Sequence, residues 1–308
     1  MLQRLSRLFF VFLLPLAVYG QSSAGTIVRV STSLGDYSIE LLDDVTPLTV
    51  QNFLNYVAKD AYNGTYLHRV VEDFVVQGGG YGFELFVGPI PIVTDPPVSN
   101  EFNVSNTRGT VAMAKLDGDP NSATSQWFVN LADNSGNLDN SNEGFTVFGN
   151  VLGDGMDILD AIDLLPKVGL GANTPAAPYF TQTYNNPLDF VFMNVEVVER
   201  FSSAPSVYEV NSGLLISAVS IDDGASIISL NFNTVSASAE LVLQANPSSV
   251  IPRRDTVGGI ATFSTGDNRL RIPALEVNDR GTVTVVNDVV LVLTDRERLL
   301  FTLESFAQ

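Results

Sequence analysis

The chain has 308 residues, with 16 Lys and Arg against 34 Asp and Glu, a formal charge of −18, 45% hydrophobic residues and a mean hydropathy of +0.19. No Cys and a single His exclude a disulfide framework, a thiol nucleophile and a multi-histidine metal site. The acidic balance repels phosphate backbones, so nucleic acid is not an expected partner, and the length sets a prior of about two domains.

Arg4 and Arg7 precede an apolar run from Leu8 to Val18, too short to span a bilayer as a helix but suited to the core of a signal peptide. Cleavage is expected after Gly20, so residues 1–20 read as a leader. Its loss would take the formal charge from −18 to −20, because both arginines go with it. No second long apolar segment follows. The expected product is exported, with the periplasm as the expected destination and no membrane insertion after cleavage.

From Thr26 to Leu42 apolar and polar residues alternate around Leu34-Gly35, which predicts a β-hairpin. Asp43–Pro47 reads as a turn into a helix with Val50, Phe53, Leu54, Val57 and Ala58 on one face. Tyr66–Val76 is strand-like and ends in a turn at Gln77-Gly78-Gly79-Gly80. Val111–Ala114 and Gln126–Asn130 predict short strands flanking a polar loop, Lys115–Ser125. Phe145–Val151 predicts a strand, Met156–Leu165 a helix and Phe190–Val198 a closing strand. Two helices among about eight strands favour a barrel or sandwich over a βαβ sheet.

Composition changes near Phe201. Ser202-Ser203-Ala204-Pro205-Ser206 reads as a linker, giving a domain at 21–200 and an all-β domain at 201–308. In the latter, Gly213–Asp223 aligns with Arg269–Asp279, matching Ile216 with Ile272, Val219 with Leu275 and Ile221 with Val277. Leu241-Val242-Leu243 likewise matches Phe301-Thr302-Leu303, so two pseudo-symmetric halves sharing one core are expected. Arg253-Arg254 and Arg296-Glu297-Arg298 read as solvated turn residues.

The only His, His68, lies in Tyr66-Leu67-His68-Arg69-Val70-Val71-Glu72-Asp73-Phe74-Val75-Val76-Gln77-Gly78-Gly79. On spacing alone, an Arg in a half-buried strand needs an acceptor, and a nearby carboxylate would serve. The segment, however, resembles the signature of the cyclophilin family of peptidyl-prolyl cis-trans isomerases, close to F-H-R-V-x-x-x-F-x-x-Q-G-G. Two further blocks follow in family order: Asn106–Ala114 with Ser122–Asn130, then Asn137-Leu138-Asp139 with Phe145–Val151. The similarity runs over about Thr26–Glu199, in the manner of the short bacterial exported cyclophilins, and does not reach the tail.

This resemblance implies a mainly β fold: a closed eight-stranded antiparallel β-barrel capped by two helices, followed here by a small all-β domain. It implies that Arg69 is the catalytic arginine, that Phe74, Val75, Phe128 and Leu138 line the pocket for a substrate proline ring, and that His68, Gln77, Ala114 and Gln126 flank it and hold the peptide. Phe145 reads as further lining. Val75 stands where the family often has Met, Asn137 where it usually has Trp or Phe, and Gly80 where it usually has Asp. The loss of the aromatic at Asn137 predicts weak cyclosporin binding. The expected substrates are X-Pro segments of unfolded or exported proteins, with no cofactor or metal.

Other readings of the same residues fare less well. No Gly-x-Ser-x-Gly elbow exists for a hydrolase, and neither Asp117-Gly118-Asp119 nor Asp133–Asn137 has the spacing of an EF-hand. Asn63-Gly64-Thr65 reads as a turn rather than a glycosylation site. The competing reading is a non-catalytic proline-peptide-binding module of the cell envelope.

Overall fold

The alternation at 26–42 folds as β1 (Ile27–Thr32) and β2 (Gly35–Leu41), in antiparallel register from Ile27↔Glu40 to Thr32↔Gly35. Gly35 turns the chain at φ +138°, and a β-carbon there would lie 2.7 Å from Cδ1 of Ile158. The turn therefore needs both the backbone freedom and the missing side chain. The structure is a computed structural model and describes residues 25–307, apart from 173, 182–185, 222–223, 239 and 256. The expected leader, residues 1–20, lies outside them.

Helix α1 (Pro47–Val57) opens on Pro47, and Thr46 makes no side-chain cap. Glu101 supplies it from a distant loop, accepting from the N–H groups of Leu48 and Thr49 at 3.2 and 2.7 Å. Val50, Phe53 and Val57 are buried as the spacing predicts, joined by Tyr56, whereas Ala58 caps the C-terminus and is exposed.

The expected strand over Tyr66–Val76 is instead a hairpin. β3 (Thr65–Tyr66) and β4 (Arg69–Val71) run up, the chain reverses with Asp73 at φ +52°, and β5 (Val75–Gly78) runs back. No glycine marks that reversal. Beyond Gly79 and Gly80, β6 (Tyr81–Glu84) and β7 (Gly88–Pro91) form a second hairpin attached to β3 at Thr65↔Gly82. Then come β8 (Thr110–Met113), β9 (Trp127–Asn130), the single turn α2 (Ser135–Leu138), β10 (Val147–Val151) and α3 (Gly155–Asp163). A ribbon of β11 (Lys167–Val168) and β12 (Ala177–Pro178) and the strand β13 (Phe192–Val198) complete this half.

The main sheet has the order β4-β5-β9-β8-β10-β2-β1-β13-β3-β6-β7. Leu67 donates its N–H to Val191 and His68 its own to Gln77, so β3 and β4 act as one interrupted strand, pairing with β13 on one side and β5 on the other. That strand closes an antiparallel barrel of eight. Its interior holds Val28, Val30, Ile39, Leu67, Val70, Val76, Val111, Met113, Trp127, Val129, Phe148 and Met193, plugged by Phe53 of α1 and by Leu159 and Ile162 of α3. Two longer helices thus cap the barrel, as the resemblance implies, and α2 adds one turn. No helix among the described residues is long and apolar enough to cross a membrane.

The tail forms a second closed sheet. β14 (Ser206–Glu209), β15 (Leu214–Ile221), β16 (Ser226–Ser236) and β17 (Val242–Arg253) make one antiparallel meander. β18 (Ala261–Ser264), β19 (Arg269–Asp279), β20 (Thr282–Asp295) and β21 (Leu300–Ala307) make another. β17 joins β21, while β14 runs parallel to β19 and β15 parallel to β18. The pairings Val207↔Glu276 and Thr262↔Ser220 exchange under the same relation that carries one meander onto the other. Leu215, Phe232, Leu243, Leu270, Ile272, Leu291 and Phe301 fill the interior.

The junction between the barrels joins one small apolar cluster, Ile27 and Val198 with Leu214 and Ile216, to a larger set of buried polar contacts. Arg253 is buried, not solvated as its sequence setting suggested. Its guanidinium donates to Asp36 at 2.7 Å and grips Asp255 at 2.8 and 2.5 Å, and Asp36 also accepts from Arg29 at 2.5 Å. Burial works to raise Asp36, but Arg29 and Arg253 outweigh it and hold the carboxyl below its usual range. Arg254 is half in solvent but pairs with Asp189, while Arg296, Glu297 and Arg298 are exposed. The Ser202–Ser206 segment is pinned: Ser202 donates to Glu276 at 2.5 Å, and the Ala204 carbonyl accepts from Arg29 at 2.9 Å.

Glu196 of β13 takes part without a cation: among the described residues no Lys or Arg pairs with it, and its Oε1 accepts from Asn63 (3.0 Å) and from Asn231 of the second barrel (2.6 Å). Burial pushes its carboxyl up to about 7, helped by Asp60 and opposed by the two amides. A raised carboxyl favours the folded state when protonated, so its stabilisation is lost as pH rises from the unfolded value near 4.5 through 7. Glu196→Gln keeps an oxygen for both amides and removes the titration. The variant should match the parent in urea unfolding at pH 5 and exceed it by about 2 kcal/mol at pH 8.5; equal slopes with pH would show Glu196 ionised throughout.

Candidate functional site

Strand alternation places the site on the outer face of the first barrel. Across four neighbouring strands, Val70, Val76, Trp127, Val129, Val111 and Met113 point inward, so the alternate residues Arg69, Val75, Gln77, Phe128, Ala112 and Ala114 share the opposite face. Register sets Arg69 opposite Gln77 and Gln77 opposite Phe128. Leu138 and Phe145 descend on this face from the loop after β9, and with Val75, Ala112, Phe128 and Val147 they form a small apolar cluster of their own.

A cavity of about 240 Å³ opens here, lined by Arg69, Phe74, Val75, Gln77, Ala114, Lys115, Phe128, Leu138 and Phe145. Phe128 and Phe145 meet edge to face at 5.8 Å between centroids. One wall is polar: Arg69 Nη1 donates to Gln77 Oε1 at 3.1 Å, Gln77 Nε2 donates to Gln126 Oε1 at 2.8 Å, and His68 Nε2 donates to the same oxygen at 3.1 Å. No other partner holds the Arg69 guanidinium among the described residues, and burial lowers its pKa from the ordinary arginine value without discharging it. The carboxylate partner that spacing alone suggested is absent; an uncharged amide stands in its place.

His68 does not line this cavity. Its ring is 2% exposed, edge-on to Tyr81 at 4.9 Å, and it reaches the site only through Gln126. Burial pushes its imidazole down to about 4, Arg69 assists and Gln126 opposes, so the ring is neutral over the physiological range. Gln126 lines an adjoining recess of about 220 Å³ with Gln77, Ala114, Lys115, Leu116, Ser122 and Thr124. Gly80 accounts for the room Gln126 has, because a β-carbon there would come within 2.9 Å of its Cδ.

The sequence places Lys115 at the start of a loop, yet it lines both recesses. Its Nζ donates to the carbonyls of Asn142 (2.8 Å) and Gly144 (2.6 Å) and lies 4.9 Å from the Phe145 ring centre. Buried amides hold the rest of that loop. Asn106 donates to Asp139 at 3.0 Å and to the Phe145 carbonyl at 2.9 Å, while Asn134 donates to the Phe74 carbonyl at 2.9 Å and to Asn130 at 2.8 Å. Neither Asn106 nor Asn134 adjoins a lining residue in the sequence, and only the fold reveals which carbonyl each holds. Among the described residues no cluster of three or more His, Asp or Glu is placed to hold a metal.

Residues 27–178 match the family model for cyclophilin type peptidyl-prolyl cis-trans isomerases. The chain is 39% identical over 168 residues to a peptidyl-prolyl cis-trans isomerase of Acinetobacter baylyi, covering 53% of this chain and 86% of that protein. It is 38% identical over 168 residues to peptidyl-prolyl cis-trans isomerase A of Dickeya dadantii, covering 53% and 85%. With peptidyl-prolyl cis-trans isomerase B of Escherichia coli the identity is 43% over 143 residues, 44% of this chain and 83% of the relative. The family match lies within the first barrel, on whose outer face the arginine and its apolar cavity lie, and each relative is covered over more than four fifths of its length: the chain belongs to the cyclophilin-type peptidyl-prolyl cis-trans isomerases.

Proposed function

We propose that the first barrel catalyses cis-trans isomerisation of X-Pro bonds in unfolded exported polypeptides, with Arg69 as the catalytic residue. The observation that carries this is a guanidinium with one neutral partner at the rim of an apolar cavity. Rotation about an X-Pro bond must break amide resonance against a barrier of about 18–20 kcal/mol. In the twisted transition state the prolyl nitrogen regains its lone pair and becomes a hydrogen-bond acceptor. Arg69 donates to that nitrogen, while the ring is held still among Phe74, Val75, Phe128, Leu138 and Phe145. The nitrogen of a planar amide accepts poorly, so this interaction belongs to the transition state rather than to either ground state.

The neutral partner matters. A carboxylate on Arg69 would draw the guanidinium toward itself and neutralise its field, whereas Gln77 orients it and leaves the charge available. Gln77, Gln126 and the Ala114 backbone flank the extended substrate. His68 holds Gln126 from behind as a positioning residue. The leader pattern of residues 1–20 supports export, with the periplasm as the site of action, and a cysteine-free chain suits an oxidising compartment.

Arg69→Ala should lower kcat/KM for an Ala-Pro test peptide by about 100-fold or more, the usual range for removing a preorganised donor, while the thermal unfolding midpoint stays close to the parent's. Retention of the rate would sink the catalytic assignment, and absence of activity in the parent would leave a peptide-binding barrel. Because burial holds His68 low, at about 4, and Arg69 keeps its charge, kcat should be flat from about pH 5 to 8, whereas Lys115, whose pKa burial lowers, should make itself felt through KM at higher pH. Lys115→Met removes the clasp on the Asn142 and Gly144 carbonyls while keeping the apolar stem. It should raise KM several-fold more than it lowers kcat, since the Phe145 wall loosens while Arg69 stays in place.

A further inference from the structure

The β6–β7 hairpin ends in three consecutive apolar residues, Leu85-Phe86-Val87, that no core accounts for. Phe83, three residues before Phe86, is packed against Tyr66 and Phe190 at 6.2 and 5.4 Å between ring centres. Phe86 itself is 98% exposed, Leu85 and Val87 are exposed, and none of the three belongs to any of the apolar clusters. Three adjacent large apolar side chains in water at a loop tip mark an interaction surface rather than a scattered surface residue.

The hairpin is fixed to the candidate site. Its root, Gly80, abuts Gln126; Tyr81 packs on His68; Gly82 pairs with Thr65 two residues before Leu67; and the Ile92 N–H returns to the Gly80 carbonyl at 3.0 Å. The tip therefore holds a set position relative to Arg69. From Tyr81 to Glu84 the strand advances about 10 Å at roughly 3.3 Å per residue, and the turn at 85–87 carries Phe86 beyond it, which puts the tip within reach of about five residues of extended substrate. The recess lined by Gln77, Lys115, Leu116, Thr124 and Gln126 shares Gln77, Ala114 and Lys115 with the proline cavity, and its Gln126 abuts Gly80 at the hairpin root.

We propose that Leu85-Phe86-Val87 is a second contact for the polypeptide whose X-Pro bond lies at Arg69, gripping an apolar residue within about five positions of the proline. The proposal rests on the isomerase reading and names its substrate class: unfolded chains with exposed apolar residues, not short polar X-Pro peptides. Unfolding is what exposes such residues, and among the described residues of the first barrel the other exposed large apolar side chains, such as Val93, Leu116 and Leu164, stand singly rather than as three in a row. The formal charge of −18 opposes the alternative of an anionic lipid surface.

The test compares the parent with the double variant Leu85→Ser, Phe86→Ser in the full chain. Binding of fluorescently labelled, reduced and carboxymethylated lysozyme, a permanently unfolded chain, is read by anisotropy, beside isomerisation of the Ala-Pro test peptide. The expected result is a Kd about tenfold higher for the variant with peptide turnover unchanged within twofold. Equal binding by parent and variant overturns the proposal. So does loss of flotation with phosphatidylcholine vesicles in the variant with unchanged binding of the unfolded chain, which would make the tip a membrane contact. A parent without peptide turnover refutes the isomerase reading alone, since the binding comparison still decides the role of the tip.

Discussion

The site depends on the pairing of one interrupted strand. β3 and β4 must satisfy β13 on one edge and β5 on the other for the first barrel to close, and that closure sets which side chains face out. With Leu67 and Val70 inward, Arg69 has only the outer face available. A slip of one residue would drive the guanidinium among Trp127 and Met113 and expose Val70, so the same pairing that completes the hydrophobic core also presents the charge. Gln77 and Phe128 follow in the next two strands by the same alternation. The cavity is in this sense a by-product of barrel closure, finished by a loop that buried asparagines and Lys115 hold against it.

Much of this was legible from the residues. The hairpin at 26–42, the helical face of Val50 and Phe53, and the lining set Phe74, Val75, Phe128, Leu138 and Phe145 follow from periodicity and from the three ordered family-like blocks. What escaped is long-range or locally unmarked. The reversal at Asp73 uses a positive φ without glycine, so the stretch reads as one strand. His68 stands at a position that the family resemblance assigns to holding the peptide, but the break in the strand packs its ring against Tyr81. Arg253 looks like a turn residue because Asp36, which buries its charge, is more than two hundred positions away. Lys115 is hidden for the same reason: its partners are carbonyls, which carry no sequence signature.

The second barrel is attached by buried charge and amides beside one small apolar cluster of Ile27, Val198, Leu214 and Ile216. Asp36 lies between Arg29 of its own barrel and Arg253 of the other, while Asn194 and Glu196 reach Ser249 and Asn231. Such contacts are directional, and leaving one buried partner without the other is costly. The first barrel consequently presents its cavity from a fixed base.

The crossed parallel strands of the tail impose an order on synthesis. The first barrel has all its strands once Val198 has left the ribosome, but β14 has no parallel partner until β19 is complete at Asp279. Until residue 253 follows, Arg29 and Asp36 lack Arg253, and until β19 follows, the second barrel is no more than the β14–β17 meander with open edges. An isomerase domain that is whole before the rest of its own chain emerges is in a position to meet, as its first proline-containing neighbour, the eight-stranded module still being made behind it.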